Sequence, residues 1–447
     1  MAPTSLPSVY QNRGTAQNDR QIRPVPVNSD WHRAPLLKRP RLDGLVAGGL
    51  LVALSAIAPL SVDMFLPSLP TIADELASAD ATVQLGVTLF LVAFAVSQLV
   101  YGPASDRFGR RPMLVAGLGL FVAGGALCLV ADSVEVLLAG RVLQGLGGGA
   151  GPALAQAIVL DVYGRERAGR ILAYMAIALP LAPTLAPIAG GILHDLVGWR
   201  SVFVTLTGLG VLLLAGYLAI LPETNRRRGA GSGGLASLAA DYRTILSSRT
   251  YVGYVLVIAL MFSGQLVFIS SSSFVLQDEL GLAAGVYGFS FGFVAVGLMF
   301  GASISSRLAT RLPGQRIVLI GAVTSSASAT MMAGLAWGGL ASVPSVLLPM
   351  FFTAVGFGIT RPAATAGALV PFPQIAGLAS AMMGFTQLTT ASTFNIAYGA
   401  TAGVSSRALA TGVFVTVVTA LVAVGILRPG EKTPPAPRVA GDTTIEG

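Results

Sequence analysis

Asp63 and Arg141 are ionisable residues that fall inside long apolar runs, or at their inner edge. A charge at the centre of a membrane-spanning helix costs about 2.5–3.5 kcal/mol on insertion scales, so a chain that keeps one has a use for it. A carboxyl group in that setting can take up and release a proton. Desolvation disfavours its charged form and a nearby cation favours it, so a change of surroundings switches its protonation. A guanidinium stays charged and must find an acceptor. Asp63 lies some twenty residues beyond Arg41, and Arg141 six residues in from Glu135. Their depths are comparable, so the two can meet across a shared cavity and carry proton coupling. The competing readings are an interfacial aspartate at a helix end and an arginine that snorkels to the surface.

The elements that position this pair are membrane helices. Apolar residues make up 53% of the chain and charged residues 11%, whereas a soluble domain carries roughly 25% charge. The mean hydropathy is +0.74. A helix needs about 20 apolar residues to cross the hydrocarbon core. Twelve such spans are predicted, at 42–66, 82–104, 113–131, 135–161, 168–193, 200–221, 251–276, 285–306, 316–337, 344–362, 374–400 and 407–427. The 54 glycines suit close helix packing. The single Cys128 sits in an apolar run and reads as a buried structural thiol.

The net charge of +8 could suggest nucleic acid, but its distribution excludes that reading. The arginines cluster in alternate loops: Arg107, Arg110 and Arg111; Arg165, Arg167 and Arg170; Arg226 to Arg228 with Arg243 and Arg249; Arg307, Arg311 and Arg316. The other loops carry Asp74, Glu75, Asp80, Asp132, Glu135, Asp278 and Glu279. By the positive-inside rule both termini are cytoplasmic. Arg361, at the inner end of the tenth span, reads as a further topology determinant.

The domain organisation follows. Residues 1–41 form a basic, disordered cytoplasmic tail without the pattern of a cleaved signal peptide. Residues 42–221 form one six-helix bundle and 251–428 a second, with a glycine-containing flexible linker at 222–250 and a tail at 429–447. Arg107 and Arg111 recur as Arg307 and Arg311, each pair ending the second span of its half. Two halves repeated about an axis along the membrane normal is a transporter arrangement.

Three motifs sharpen this. The turn after span two reads Gly102-Pro-Ala-Ser-Asp106-Arg107-Phe-Gly109-Arg110-Arg111. Span four carries Arg141-Val-Leu-Gln144-Gly145. Span five carries Ala186-Pro187-Ile-Ala-Gly190-Gly191, in which the proline bends the helix and the glycines admit a close neighbour. The first two resemble signatures of the major facilitator superfamily. The third resembles its antiporter motif, Gly-Pro-x-x-Gly-Gly, with Ala186 in place of the first glycine. Asp63-Met-Phe-Leu-Pro67-Ser-Leu-Pro70, Ser273 to Gln277, and Pro371-Phe-Pro373 with Gly377 to Phe385 are similar to the Bcr/CflA drug-resistance transporters, which include bicyclomycin and phenicol exporters.

The resemblance implies the all-α fold of that superfamily and a monomer in the bacterial inner membrane. It implies an exporter of hydrophobic or amphiphilic drugs, driven by protons exchanged at Asp63 with Arg141 as its coupling partner. The Gly102–Arg111 motif would latch the two halves in one of the alternating states. Cavity candidates are Met64, Gln144, Gln265, Phe268, Phe274, Gln387 and Asn395. No cofactor beyond the proton-motive force and no metal is expected. The alternative is a symporter or uniporter importing a nutrient, which the altered antiporter motif leaves open. An enzyme is not expected. His32 and His194 are the two histidines, one in each of two loop regions, with no metal-spaced or nucleophilic set beside them.

Overall fold

A computed structural model describes residues 45–225 and 235–427. The tails expected at 1–41 and 429–447, with His32, lie outside these residues, as does 226–234 within the expected linker. Helices account for nearly all of the rest: α1 Leu45–Asp63, α2 Leu69–Glu75, α3 Asp80–Phe108, α4 Arg110–Leu129, α5 Val134–Gly148, α6 Ala150–Val197, α7 Arg200–Ile220, α8 Leu235–Ser247, α9 Arg249–Phe274, α10 Ala284–Leu308, α11 Gly314–Trp337, α12 Val343–Leu369, α13 Ala376–Ala402 and α14 Ser406–Leu427. Among the described residues, nine helices are long and apolar enough to cross a membrane. No strand occurs among them. Local signals set several ends. Ser248 accepts a hydrogen bond from the Tyr251 amide at the start of α9, and Ser342 and Ser345 cap the start of α12 reciprocally.

Two expected spans merge in α6. As one straight rod, its 48 residues would run about 72 Å. Its ends are not so far apart. Gly151 packs on Leu54 and Gly190 on Met64, ten residues apart on α1, and Gly48 faces both Tyr163 and Ile171. The segment therefore doubles back near its middle, and its two arms correspond to the spans expected at 135–161 and 168–193. The first of those spans starts in α5, and the helix breaks at Gly149, within a run of glycines.

Two further differences concern segments read as polar or terminal. The linker expected at 222–250 contains the helix α8, whose Ile245 is buried against Tyr251 and Tyr254. Beyond Asp63 the chain does not leave the bundle. A turn over Leu66–Ser68 leads into α2, and Leu66, Pro67, Ser68, Leu69, Pro70, Ile72 and Ala73 are all buried.

The apolar packing divides the molecule by its ends. One core takes residues from both halves: Val62, Phe65, Val87 and Phe90 from the first, Phe268, Phe274, Tyr287, Phe291 and Met350 from the second. It lies at the end of the bundle where Asp63 sits. The other cores are private. Leu51, Leu54, Leu118, Phe121 and Leu154 belong to one within the first half. Tyr254, Ile258, Phe357 and Ala364 belong to another within the second, and Ile317, Val355 and Ile359 form a small third. The halves are thus sealed together at the Asp63 end and separately packed toward the arginine-rich end.

Candidate functional site

Arg141 is fully buried on α5. Its Nη1 donates to Gln144 Oε1 at 2.8 Å, to Ser61 Oγ at 3.1 Å and to the Ser61 carbonyl at 3.2 Å. Its Nε donates to the Gly86 carbonyl at 3.2 Å. The guanidinium lies between two rings, 4.7 Å from the Phe65 centroid and 4.4 Å from that of Phe90. Neutral acceptors and aromatic faces thus hold the charge deep in the first half. The snorkelling reading fails, since the side chain reaches no surface.

Asp63 is buried too, 5% exposed, but it does not meet Arg141. No ion pair joins them, and the Asp63 carboxyl has no hydrogen bond. The expected pairing is corrected by helix geometry. Ser61 and Phe65 are four residues apart and share the face of α1 that meets Arg141. Asp63 lies about 200° round from Ser61. It faces the second half, on the side of Tyr287. Tyr287 is fully buried on α10 and its hydroxyl pairs with Ser272 Oγ on α9 at 3.0 Å. Below Asp63 on the same face come Leu60, Ala56, Ala53 and Gly49. Leu60 and Ala53 are half-buried, Ala56 is buried, and Gly49, nearest the arginine-rich end, is exposed with open space beside it.

Polar contacts across the halves gather around this carboxyl. Gln84 Nε2 on α3 donates to Ser270 Oγ at 2.9 Å and to Ser271 Oγ at 2.6 Å on α9. Ser270 Oγ donates to Asn395 Oδ1 at 3.0 Å, and Asn395 Nδ2 donates to Thr88 Oγ1 at 2.8 Å. Gln277 Nε2 donates to the Pro67 carbonyl at 3.1 Å. Asp195 Oδ2, in the last turn of α6, accepts from the Gly285 amide at 3.0 Å and so caps the positive end of α10.

The glycine motif of α6 lies at this closure. Gly190 is backed by Met64. A methyl group on Gly191 would stand 2.6 Å from the Ala284 carbonyl, and one on Gly288 would stand 2.9 Å from the Ile188 Cα. Only hydrogen fits on either side. Pro187 sits in the same contact, its backbone against Gly288.

The arginine motif sits at the opposite end and is engaged within the first half. Gly109 turns the chain at φ 107°, a region that favours glycine. Arg110 pairs with Asp106 at 2.7 Å and with Asp161 at 3.3 Å. Glu223 accepts from the Arg110 and Arg111 amides at 2.9 and 3.1 Å, and so caps α4. Arg111 Nη2 donates to the Leu218 carbonyl. Asn225 donates to the Ser105 and Asp106 carbonyls. Arg107 stacks on Phe108 at 5.3 Å, and Gly102 has open space beside it.

The remaining candidates are placed as follows. Phe268 and Phe274 lie in the shared core, Phe268 stacked on Phe291 with centroids 5.8 Å apart. Met64 belongs to the private core of the first half. Gln144 holds Arg141, Asn395 joins the halves, and Gln265 and Gln387 are buried. His194 lies in α6 with its ring nitrogens near Ser68 Oγ and Thr71 Oγ1, at 3.2 and 3.3 Å. Among the described residues no cluster of three or more His, Cys, Asp or Glu could hold a metal. Sequence reading missed Gln84, Thr88, Tyr287, Asp195 and Glu223. The first four look like ordinary helix residues, and only Glu223, an acid at the edge of an arginine-rich stretch, carries a signal.

Two helical halves share one core at the Asp63 end and keep separate cores elsewhere, and with its family and relatives this makes the chain a membrane transporter and not an enzyme. The chain matches the Major Facilitator Superfamily over residues 51–390 and belongs to it. It is 28% identical over 381 residues to multidrug resistance protein D of Escherichia coli (strain K12), covering 84% of this chain and 92% of that one. It is 30% identical over 339 residues to multidrug resistance protein MdtL of Escherichia fergusonii, covering 75% and 84%. Among solved structures, a D-xylose-proton symporter shares the fold with a TM-score of 0.67 at 15% identity, over 84% of this chain and 96% of that one. A peptide transporter POT in complex with sulfate does so with a TM-score of 0.68 at 14% identity, over 85% and 93%.

Proposed function

We propose that the protein is a proton-coupled exporter of hydrophobic or amphiphilic small molecules, antibiotics among them, of the Bcr/CflA type. It acts as a monomer in the bacterial cell membrane, by alternating access, with both termini in the cytoplasm. The names of the multidrug-resistance relatives support the substrate class. The positive-inside rule supports the orientation, because Arg107, Arg110, Arg111, Arg307, Arg311 and Arg316 gather at the end away from Asp63. In that orientation the end at which the halves share a core faces outward.

The observation that carries the proposal is Asp63, buried where the shared core seals the halves and given no cation or hydrogen bond. An unpaired carboxylate there is costly, and a neutral acid is tolerated. The closed core therefore accepts Asp63 only with its proton. A proton from outside loads Asp63 while the core is open, and closure buries the neutral acid. The proton then leaves along the Leu60–Gly49 face of α1 toward the cytoplasm. The ionised carboxyl drives the core apart again and carries the drug outward with it. Each proton moving inward is worth about 2.3 kcal/mol per 100 mV.

The test uses everted vesicles with a respiration-generated pH gradient, followed by a fluorescent dye while phenicols and other amphiphilic drugs are added. The wild type should release the gradient when a substrate is present, and Asp63→Asn should not. Release that persists in Asp63→Asn removes Asp63 from the proton path. Drug uptake into intact cells in place of extrusion reverses the direction.

A further inference from the structure

Arg361 lies on α12 and the cycle above gives it no role. It is exposed, although every residue from Thr353 to Thr360 is buried. The faces of α12 are fixed by their neighbours. Phe357 and Ala364 pack with Tyr254 and Ile258 of α9, and the Phe357 ring lies 6.1 Å from Phe262. Gly358 lies against Leu298 and Gly301 of α10, and Thr360 against Gly321 of α11. At about 100° per residue, Arg361 falls about 40° round from Phe357, on the side toward Gly358. That direction is the wedge between α9 and α10. Met350 and Ala354 point into the same wedge nearer the Asp63 end, where the shared core encloses them. Arg361 thus points along the same wedge, beyond the last of those core residues, and is exposed there.

No ion pair among the described residues neutralises it. The ion pairs among the described residues are Arg110 with Asp106 and Asp161, and Arg200 with Glu75. Among the described residues Arg361 has neither an ion pair nor a hydrogen bond, whereas Nη1 and Nε of Arg141 donate to Gln144, Ser61 and Gly86. A cation held in a membrane cavity without a counter-charge is costly unless something supplies one. Its planar fork suits an oxyanion, and low-dielectric walls leave the attraction poorly screened.

We infer that Arg361 is an anion-binding residue of the substrate cavity, taking the carboxylate, sulfonate or phenolate of an amphiphile whose apolar body lies against the cavity walls. This deepens the exporter reading and rests on it for the identity of the cavity. Asp63 at the blind end and Arg361 toward the mouth then divide the work, one for the proton and one for acidic substrates.

Two probes of nearly the same ring skeleton test it on the full chain in nanodiscs, with empty discs subtracted: the sulfonate 8-anilinonaphthalene-1-sulfonate and the uncharged N-phenyl-1-naphthylamine. Fluorescence titration of the wild type should show the sulfonate binding more tightly. Arg361→Gln should weaken it by about tenfold or more while leaving the neutral probe within about twofold, and Arg361→Lys should recover part of the loss. Equal affinity of the two probes in the wild type overturns the inference. So does a parallel change, or no change, in the glutamine variant, which leaves Arg361 a topology anchor. Proton-driven movement of the neutral probe in vesicles is scored separately. Its failure in the wild type strikes the exporter reading and leaves the binding comparison intact.

Discussion

Arg141 donates to Ser61 at 3.1 Å, while Asp63, two residues further along the same helix, faces the other half of the molecule. About half a turn of α1 thereby separates a charge held within the first half from a carboxyl that faces the second. The fixed charge organises the first half through Gln144, Gly86, Phe65 and Phe90. The carboxyl sits where the halves meet.

Removing the fixed charge should damage structure before coupling. Arg141→Ala strands the Gln144 and Ser61 acceptors and opens a void between two rings. A loss of about 3 kcal/mol is expected. It should appear as a lowered melting temperature of the purified protein. Arg141→Lys should recover only part, because an ammonium cannot reach the three acceptor residues as the guanidinium does.

Asp63→Asn should do the opposite. A neutral amide suits the closed core, so melting should be unchanged or raised. Exchange of labelled drug across proteoliposomes should continue, and uphill transport driven by a pH gradient should cease. Retention of gradient-driven accumulation would place the proton elsewhere.

The glycine contact between α6 and α10 predicts a change of state. Gly191→Val adds bulk against the Ala284 carbonyl, already 2.6 Å from where a Cβ would stand. The shared core should open. The reporter is a cysteine at Ser271, 7% exposed, in a Cys128→Ala background. Its labelling by an impermeant maleimide should rise by about tenfold, a shift of about 1.4 kcal/mol. Unchanged labelling would mean that the contact tolerates the methyl groups in the closed state.

Gln84→Leu should move the same reporter less. The bonds from Gln84 to Ser270 and Ser271 are neutral, worth about 0.5–1.5 kcal/mol each. A double-mutant cycle with Asn395→Leu should show coupling, since both side chains bond Ser270.

At the other end, Glu223→Ala removes the acceptor for the Arg110 and Arg111 amides. The expected cost is about 1–2 kcal/mol. Faster hydrogen exchange at those two amides, with α12 unaffected, would locate the effect in the α3–α4 turn.

Much of this was legible in the sequence for one reason: charge is conspicuous against an apolar background. Asp63, Arg141 and the Asp106–Arg111 turn stand out on that ground. Gly190 and Gly191 do so through their spacing from Pro187. The failed pairing of Asp63 with Arg141 has a physical cause. Depth can be counted along a helix, but the direction of a side chain depends on how that helix is rotated against its neighbours. Gln84, Thr88, Ser270 and Asn395 are neutral and far apart in the chain, Thr88 and Asn395 by 307 residues, so no local pattern links them. The helix α8 and the buried turn after Asp63 were hidden by polar or proline-rich composition. The closed end was illegible because its contacts join residues from two halves far apart in the chain.

The private cores have a bearing on how the molecule is made. Each half keeps its own apolar interior when the seal at the Asp63 end is broken, so switching state does not require unfolding. By the same token, each half is a self-sufficient piece of architecture. Two polypeptides divided between Asn225 and Leu235 should each insert and hold their shape, and find one another through the shared core, the polar bonds beside it and the glycine contact of α6 with α10. The join between the halves is then an assembly interface carried within one chain.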